Sequence, residues 1–284
     1  MFIKRALSIR FALAGDSADV LDLNGYRAEA VIDNPGGVLA MGTLHLRIWG
    51  MSLPDMSRLS TNGLHALAVR MDRVTVSAGD DGGAVHQVFD GTIAAGYADF
   101  NGAPETSFNI RAQAGLLMAA KPTTPATFKG SADVASIIKG MAAQAGFAFR
   151  NSGVTAQLSN PYFPGSLRDQ MMAVARAANI MIAIENGVVS IWPNGSARDD
   201  TTVSVGPDSG MVGYPEFTTS GIQVRKVFDP GFAIGRKCTV SSLIPRANGT
   251  WFVQTMRHEL STLQPGGPWF TTAKLTYEGF FLAR

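Results

Sequence analysis

Cysteine is almost missing from this 284-residue chain, with Cys238 the only one. An internal disulfide is therefore excluded, which fits synthesis in a reducing compartment. Charge is also scarce: 16% of residues are charged, against 46% hydrophobic, and the net charge is +2. A chain with this balance is globular, and its low charge points to surface covered by a partner. No cluster of Lys and Arg interleaved with aromatics occurs, so nothing argues for a grip on nucleic acid. No apolar run reaches the roughly 18 residues needed to span a bilayer. The opening run after Lys4 and Arg5 resembles a secretion signal only superficially. Leu7, Ile9, Phe11 and Leu13 alternate with Ala6, Ser8, Arg10 and Ala12, the period of a strand with one buried face.

Signatures of chemistry are missing as well. There is no G-x-S-x-G, no phosphate-cradling loop and no dinucleotide fingerprint. His45, His65, His86 and His258 are scattered, with no two at metal-ligand spacing; a zinc site needs three or four converging ligands. Alternation puts His258 on one face with Phe252, Met256 and Leu260, as a hydrogen-bonded histidine near the core. The pairs Asp80-Asp81 and Asp199-Asp200 are adjacent in turn-rich sequence and read as solvated loop residues. A glycosidase needs two facing carboxylates about 5 to 9.5 Å apart. Gly79-Asp80-Asp81-Gly82 lacks the ligand spacing and closing glutamate of a calcium loop. Cys238 reads as a small buried hydrophobe. Trp49, Trp192, Trp251 and Trp269 fall at or next to strand ends and read as packing, with a sugar platform as the other use. The sequons Asn194-Gly195-Ser196 and Asn248-Gly249-Thr250 are chance matches in turns. Catalytic, cofactor-binding and metal-binding residues are all expected to be absent.

What is present is strand signal, punctuated by Gly and Pro. The length predicts two or three domains. Residues 1–120 read as all-β. Leu44, Leu46 and Ile48 alternate with His45 and Arg47. Val69 and Met71 alternate too, and the phase slips before Val74 and Val76, as a bulge would cause. Ala78–Gly83 is a hairpin tip, followed by strands over 85–93 and 107–112. Asp33–Gly37 and Asn101–Pro104 are turns by composition. Residues 52–63 are ambiguous, and Leu116–Ala119 is a short apolar run that fits either helix or strand. Lys121–Ala126, with two prolines in four residues, is a linker.

Residues 127–196 predict a small α+β domain. One helix starts with Ser131 as N-cap, carries Val134, Ile137, Ile138 and Met141, and ends at Gly146. A second starts at Ser166, with Asp169 completing a capping box. Asn186-Gly187 between two β-rich runs is a hairpin signal. Asn194–Gly210 is polar and turn-rich. Residues 197–284 form a second β domain, with runs at 222–224, 238–240, 251–260 and 273–279. A corner at Asp229-Pro230-Gly231 and Gly235 separates the first two runs. The expected fold class is α+β, mainly β, with two antiparallel β-barrel, tube-like domains and the small α+β domain between them.

The C-terminal stretch resembles the hub proteins of bacteriophage tail baseplates. The pattern is Gly213-Tyr214-Pro215-x-Phe217, Gly221-Ile222-x-Val224, Phe228-x-Pro230-x-Phe232-x-Ile234-Gly235 and Val240-x-Ser242. It continues with Gly249-x-Trp251-x-Val253, His258-x-Leu260 and Gly267-x-Trp269-x-Thr271. Ser131–Trp192 resembles the small domain of these hubs, so about half the chain carries the likeness. The resemblance implies a non-enzymatic homotrimer joining a sixfold tail tube to a threefold spike. Its implied partners are tube or tube-initiator proteins, the central spike and other baseplate proteins. Genomic DNA would pass through the lumen without sequence-specific binding. It implies a place in the virion tail, after assembly in the host cytoplasm, with no cofactor and no membrane anchor. A tail-associated cell-wall hydrolase and a carbohydrate-binding module are the other readings.

Overall fold

The computed structural model describes residues 4–14, 19–36, 41–61, 72–120 and 122–277. The chain is mainly β, with large antiparallel sheets and four α-helices among the described residues. No helix among them is long and apolar enough to cross a membrane. It divides into two compact units. The first comprises residues 1–33, 42–114 and 257–270; the second comprises 34–41, 115–256 and 271–284.

The first unit contains β1 (Arg5–Ala12), β2 (Val20–Asn24), β3 (Arg27–Asn34), β4 (Thr43–Trp49), helix α1 (Leu53–Leu59), β5 (Arg73–Asp80), β6 (Val85–Asp99) and β7 (Ser107–Gln113). The strands follow the order β3-β4-β7-β6-β5-β1-β2. Each alternating run lands in register with its neighbour. Ala28 faces Ile48, which faces Phe108; Ala30 faces Leu46, which faces Ile110. All six are buried, as are Leu7, Ile9 and Phe11. Burying each large apolar side chain contributes about 1.5–3 kcal/mol, so the two-residue period locks both register and face.

Within the ambiguous 52–63 stretch, Leu53–Leu59 forms α1, capped by Ser52 and with Pro54 in its first turn, while 62 and 63 lie outside the described residues. Strand β6 runs six residues past the expected end at Ile93. A register shift between Ile93 and Ala95 absorbs the phase change and lets pairing with β7 continue. A second shift falls between Val76 and Ser77, on the far side of Val74 and Val76 from the expected slip. Val69, Met71 and His65 lie outside the described residues.

The second unit opens with α2 (Leu116–Ala120), which settles the ambiguous 116–119 run as helix. It continues through the short strands β8 (Ala126–Thr127) and β9 (Ser131–Asp133) to α3 (Val134–Gln144). The expected cap at Ser131 is corrected. Ser131 pairs with Ser159 in a strand, and Asp133 caps the helix instead. Its carboxylate accepts from the Ser136 amide at 2.8 Å, a charge-assisted bond that a serine hydroxyl cannot match. After β10 (Ala148–Asn151), β11 (Gln157–Ser159) and β12 (Tyr162–Phe163) comes α4 (Leu167–Ala177). Its capping box between Ser166 and Asp169 is formed as expected. Asn186 and Gly187, both at positive φ, turn β13 (Ile180–Glu185) into β14 (Val188–Pro193).

The polar stretch 194–210 holds a strand that its composition conceals. This is β15 (Thr202–Val205), which pairs in parallel with β18 (Lys237–Val240). Between them lie β16 (Glu216–Thr218) and β17 (Gly221–Val227). Last come β19 (Gly249–Thr262) and β20 (Trp269–Thr276), whose 257–270 portion counts with the first unit. The order β16-β17-β20-β19 is followed by β3.

Candidate functional site

The corner at 229–235 is where the second unit gathers its buried charge. Glu185, at the end of β13, and Arg198, in the loop before β15, form an ion pair with both side chains buried. Arg198 Nη2 donates to Ser190 Oγ at 2.9 Å, and its Nη1 reaches Ile234 O at 3.4 Å. The Ile234 amide donates to the other Glu185 oxygen at 3.2 Å. Burial, with Arg236 close by, lowers the Arg198 guanidinium to about 10, so it is charged at neutral pH. A charge this buried is tolerated only with its partners in place. The network thus ties segment 127–196 to segment 197–284 within one unit.

Gly235 has to be glycine here. Its φ is +82°, and an added Cβ would stand 2.5 Å from the Trp192 ring. Trp192 is fully buried, with the Arg198 guanidinium 5.8 Å from its ring centre. Next to it, Lys226 Nζ donates to Asp229 Oδ2 at 2.5 Å and to Ser204 O at 2.9 Å. Asp229 Oδ1 accepts from the Gly231 amide at 2.8 Å, which forms the expected turn. Asp199 is not a solvated loop acid. Both its oxygens accept from Arg236 Nε at 3.0 Å. Burial alone would raise its pKa, but the Arg236 hydrogen bonds and charge bring it below the usual carboxylate range.

The other candidates are dispersed. His258 is buried on the face it shares with Phe252, Met256 and Leu260, while His45 and His86 are exposed. Asp81 pairs with Lys4 at 2.8 Å, and Asp200 is exposed. Burial pushes the Cys238 thiol up to about 12, so it stays protonated and packs as a hydrophobe. Trp192, Trp251 and Trp269 are buried, and the Arg27 and Arg47 guanidiniums lie 4.5 and 4.8 Å from the Trp49 ring centre. The tryptophans therefore serve packing and present no open platform for a sugar. Among the described residues no group of His, Cys, Asp or Glu converges as a metal site would require.

Sequence reasoning missed Glu185 and Arg198. The only local sign was a carboxylate ending the otherwise apolar run Ile180–Ile184, and the hairpin signal beside it accounted for that residue already.

What the chain does present is edges. Among the described residues β16 pairs on one side only, with β17. Phe217 stands directly opposite Ile222. Cross-strand partners share a face, yet Ile222 is fully buried and Phe217 is 57% exposed. The apolar inner face therefore runs one strand past its cover. Tyr214, Val212 and Val227 are exposed around the same hairpin. In the first unit, among the described residues, β2 pairs only with β1, and Val20 is exposed. Edges of this kind are usually paired, covered or blunted.

Comparison with known proteins agrees with this picture. A search by sequence of the curated proteins found no match. Among solved structures, the fold is similar to a tail protein from Neisseria meningitidis MC58, with a TM-score of 0.65 at 12% identity, covering 98% of each chain. It is also similar to a prophage MuSo2 43 kDa tail protein from Shewanella oneidensis, with a TM-score of 0.64 at 9% identity, covering 96% of this chain and 99% of that one. A third is the E. coli c3393 protein, described as a type VI secretion system component resembling the T4 tail proteins gp27 and gp5. It matches with a TM-score of 0.60 at 9% identity, over 95% of this chain and 77% of its own. The baseplate hub gp41 family model matches residues 57–273. That span takes in the end of α1, the whole buried network around Arg198 and the β16–β17 edge, and by it the chain belongs to the baseplate hub gp41 family, structural components of the phage tail.

Proposed function

We propose that this chain is the trimeric hub of a tail baseplate, adapting a sixfold tube to a threefold spike around a passage for the genome. Segments 1–120 and 197–284 act as two tube-like, barrel-forming lobes, with 121–126 as linker and 127–196 as the insert. Three copies then offer six lobes to the tube. Its partners are tube or tube-initiator proteins, the central spike and neighbouring baseplate proteins, met after assembly in the host cytoplasm. The chain carries this role as a scaffold, without catalysis.

The observation that carries the reading is the uncovered inner face at β16, where Phe217 prolongs the row begun by Ile222. A strand edge with an exposed aromatic on its core side is completed by another strand, and cyclic closure stops open-ended growth. The similarity of the fold to tail proteins supports the same role. Light scattering and negative-stain imaging test it. A ring-shaped trimer, alone or with tube and spike proteins, is expected, and Phe217→Glu should shift it toward monomer. A wild-type chain that stays monomeric with both partners present would refute the trimer.

A further inference from the structure

The solvent face of the first unit carries a ladder of polar side chains in register. On β4 and β7, His45 stands opposite Arg111, and Arg47 opposite Asn109. On the flanking strands, Glu29 faces Arg47 and Tyr97 faces Asn109. These six line an open cleft of about 180 Å³. His45, Arg47, Tyr97 and Arg111 are exposed. Arg47 is held in place: its Nε donates to Ser107 Oγ at 3.0 Å, and its guanidinium lies 4.8 Å from the Trp49 ring. Asp99 is its loose acidic neighbour at 3.9 Å. Arg111 makes no ion pair or hydrogen bond among the described residues, and Glu29 is the one carboxylate lining the cleft.

We infer that this face is a sequence-independent contact for the phosphate backbone of nucleic acid, with Arg111 and Arg47 as the phosphate-facing groups. The chemistry favours a polymer over a single phosphate. The cleft is too open to desolvate one small anion, whereas a polyanion gains by releasing counterions at each contact. Arg47 and Arg111 are diagonal neighbours across an antiparallel pair, a spacing of about 7–8 Å. The side chains meet no base edge at fixed depth, so they position without reading sequence. With so few contacts the grip is weak and salt-labile, as a passage for a moving polymer requires. The inference rests on the proposed genome passage.

Fluorescence anisotropy of a labelled duplex of arbitrary sequence, with the full chain, tests it. Binding should weaken about tenfold between 50 and 200 mM salt, the slope for two neutralised phosphates. Two unrelated sequences should bind alike. Arg111→Glu should bind about five- to tenfold more weakly and Arg111→Gln about threefold, each with unchanged circular dichroism. Arg176→Glu, an equal charge change on the exposed side of α4, should bind like the wild type. No binding by the wild type, or an Arg111→Glu variant that binds equally well, overturns the inference and leaves the passage reading standing. That reading is decided separately by imaging the assembled hub: β4 and β7 turned away from the axis overturn the inference alone, and a hub without an axial channel overturns both.

Discussion

Strands β3, β4 and β7 of the first unit meet through Ala28, Ile48, Phe108, Ala30, Leu46 and Ile110, and its ion pairs join side chains that reach solvent, such as Arg10 with Asp22. In the second unit Met181, Trp192, Phe232 and Trp251 also pack as a core. There, however, the joint between two stretches of sequence is a buried Glu185–Arg198 pair with its hydrogen bonds. The ion pairs of the first unit reach solvent, whereas the second unit adds one that is buried and depends on its partners. Apolar packing degrades in proportion to what is removed, whereas an ionic joint fails when one member is lost.

The contrast can be broken by truncating one residue in each unit. Arg198→Ala should cost about 3–5 kcal/mol in urea unfolding, because Glu185 is left as a lone buried charge. Adding Glu185→Leu to Arg198→Met should recover most of the loss, since apolar replacement of a whole buried pair is often neutral. Phe11→Ala in the first unit should also cost about 3–5 kcal/mol, with no second truncation able to restore it. If the Arg198 loss resists rescue, the distinction between the two units collapses.

Smaller effects sharpen it. Gly235→Ala should cost roughly 2–4 kcal/mol, from left-handed backbone plus the collision with Trp192, read as a lower urea midpoint with unchanged slope. Asp169→Asn should cost about 0.5–1 kcal/mol at neutral pH through the capping box. Hydrogen bonds from Ser166 hold the Asp169 carboxyl below its ordinary value. A depressed folded pKa contributes stability above the unfolded value, and that stability disappears as pH falls through the folded one. The gap between wild type and Asp169→Asn should therefore close below about pH 4. Smallest of all, Arg10→Ala should leave the urea midpoint unchanged, because the Arg10–Asp22 pair is fully exposed.

How far the sequence foretold this depends on the range of the interaction. The strand faces at 7–11 and 44–48, the Ser166–Asp169 box and the Asn186-Gly187 hairpin are set by neighbours a few residues apart, and each is found where its pattern lies. The parallel strand β15 is hidden because its ladder partner is β18, 35 residues on at Thr202 and Lys237. The acid Asp199 looks solvated until Arg236 arrives from a distant loop. Gly235 was legible as a turn, but the ring that forbids a side chain there belongs to Trp192. The edge aromatic Phe217 was part of the recognised pattern. Only the pairing with Ile222 reveals that it faces the core side without cover.

The tip of the β19–β20 hairpin, residues 257–270, completes the first unit, where Arg257 bonds Asp33 and Thr262 bonds the Tyr26 carbonyl. The first unit is thus unfinished until residues 257–270 have been translated. A nascent chain paused before that hairpin leaves the flank of β3 bare on the ribosome. Synthesis order thereby delays completion of the first unit until residues 115–256 of the second have emerged.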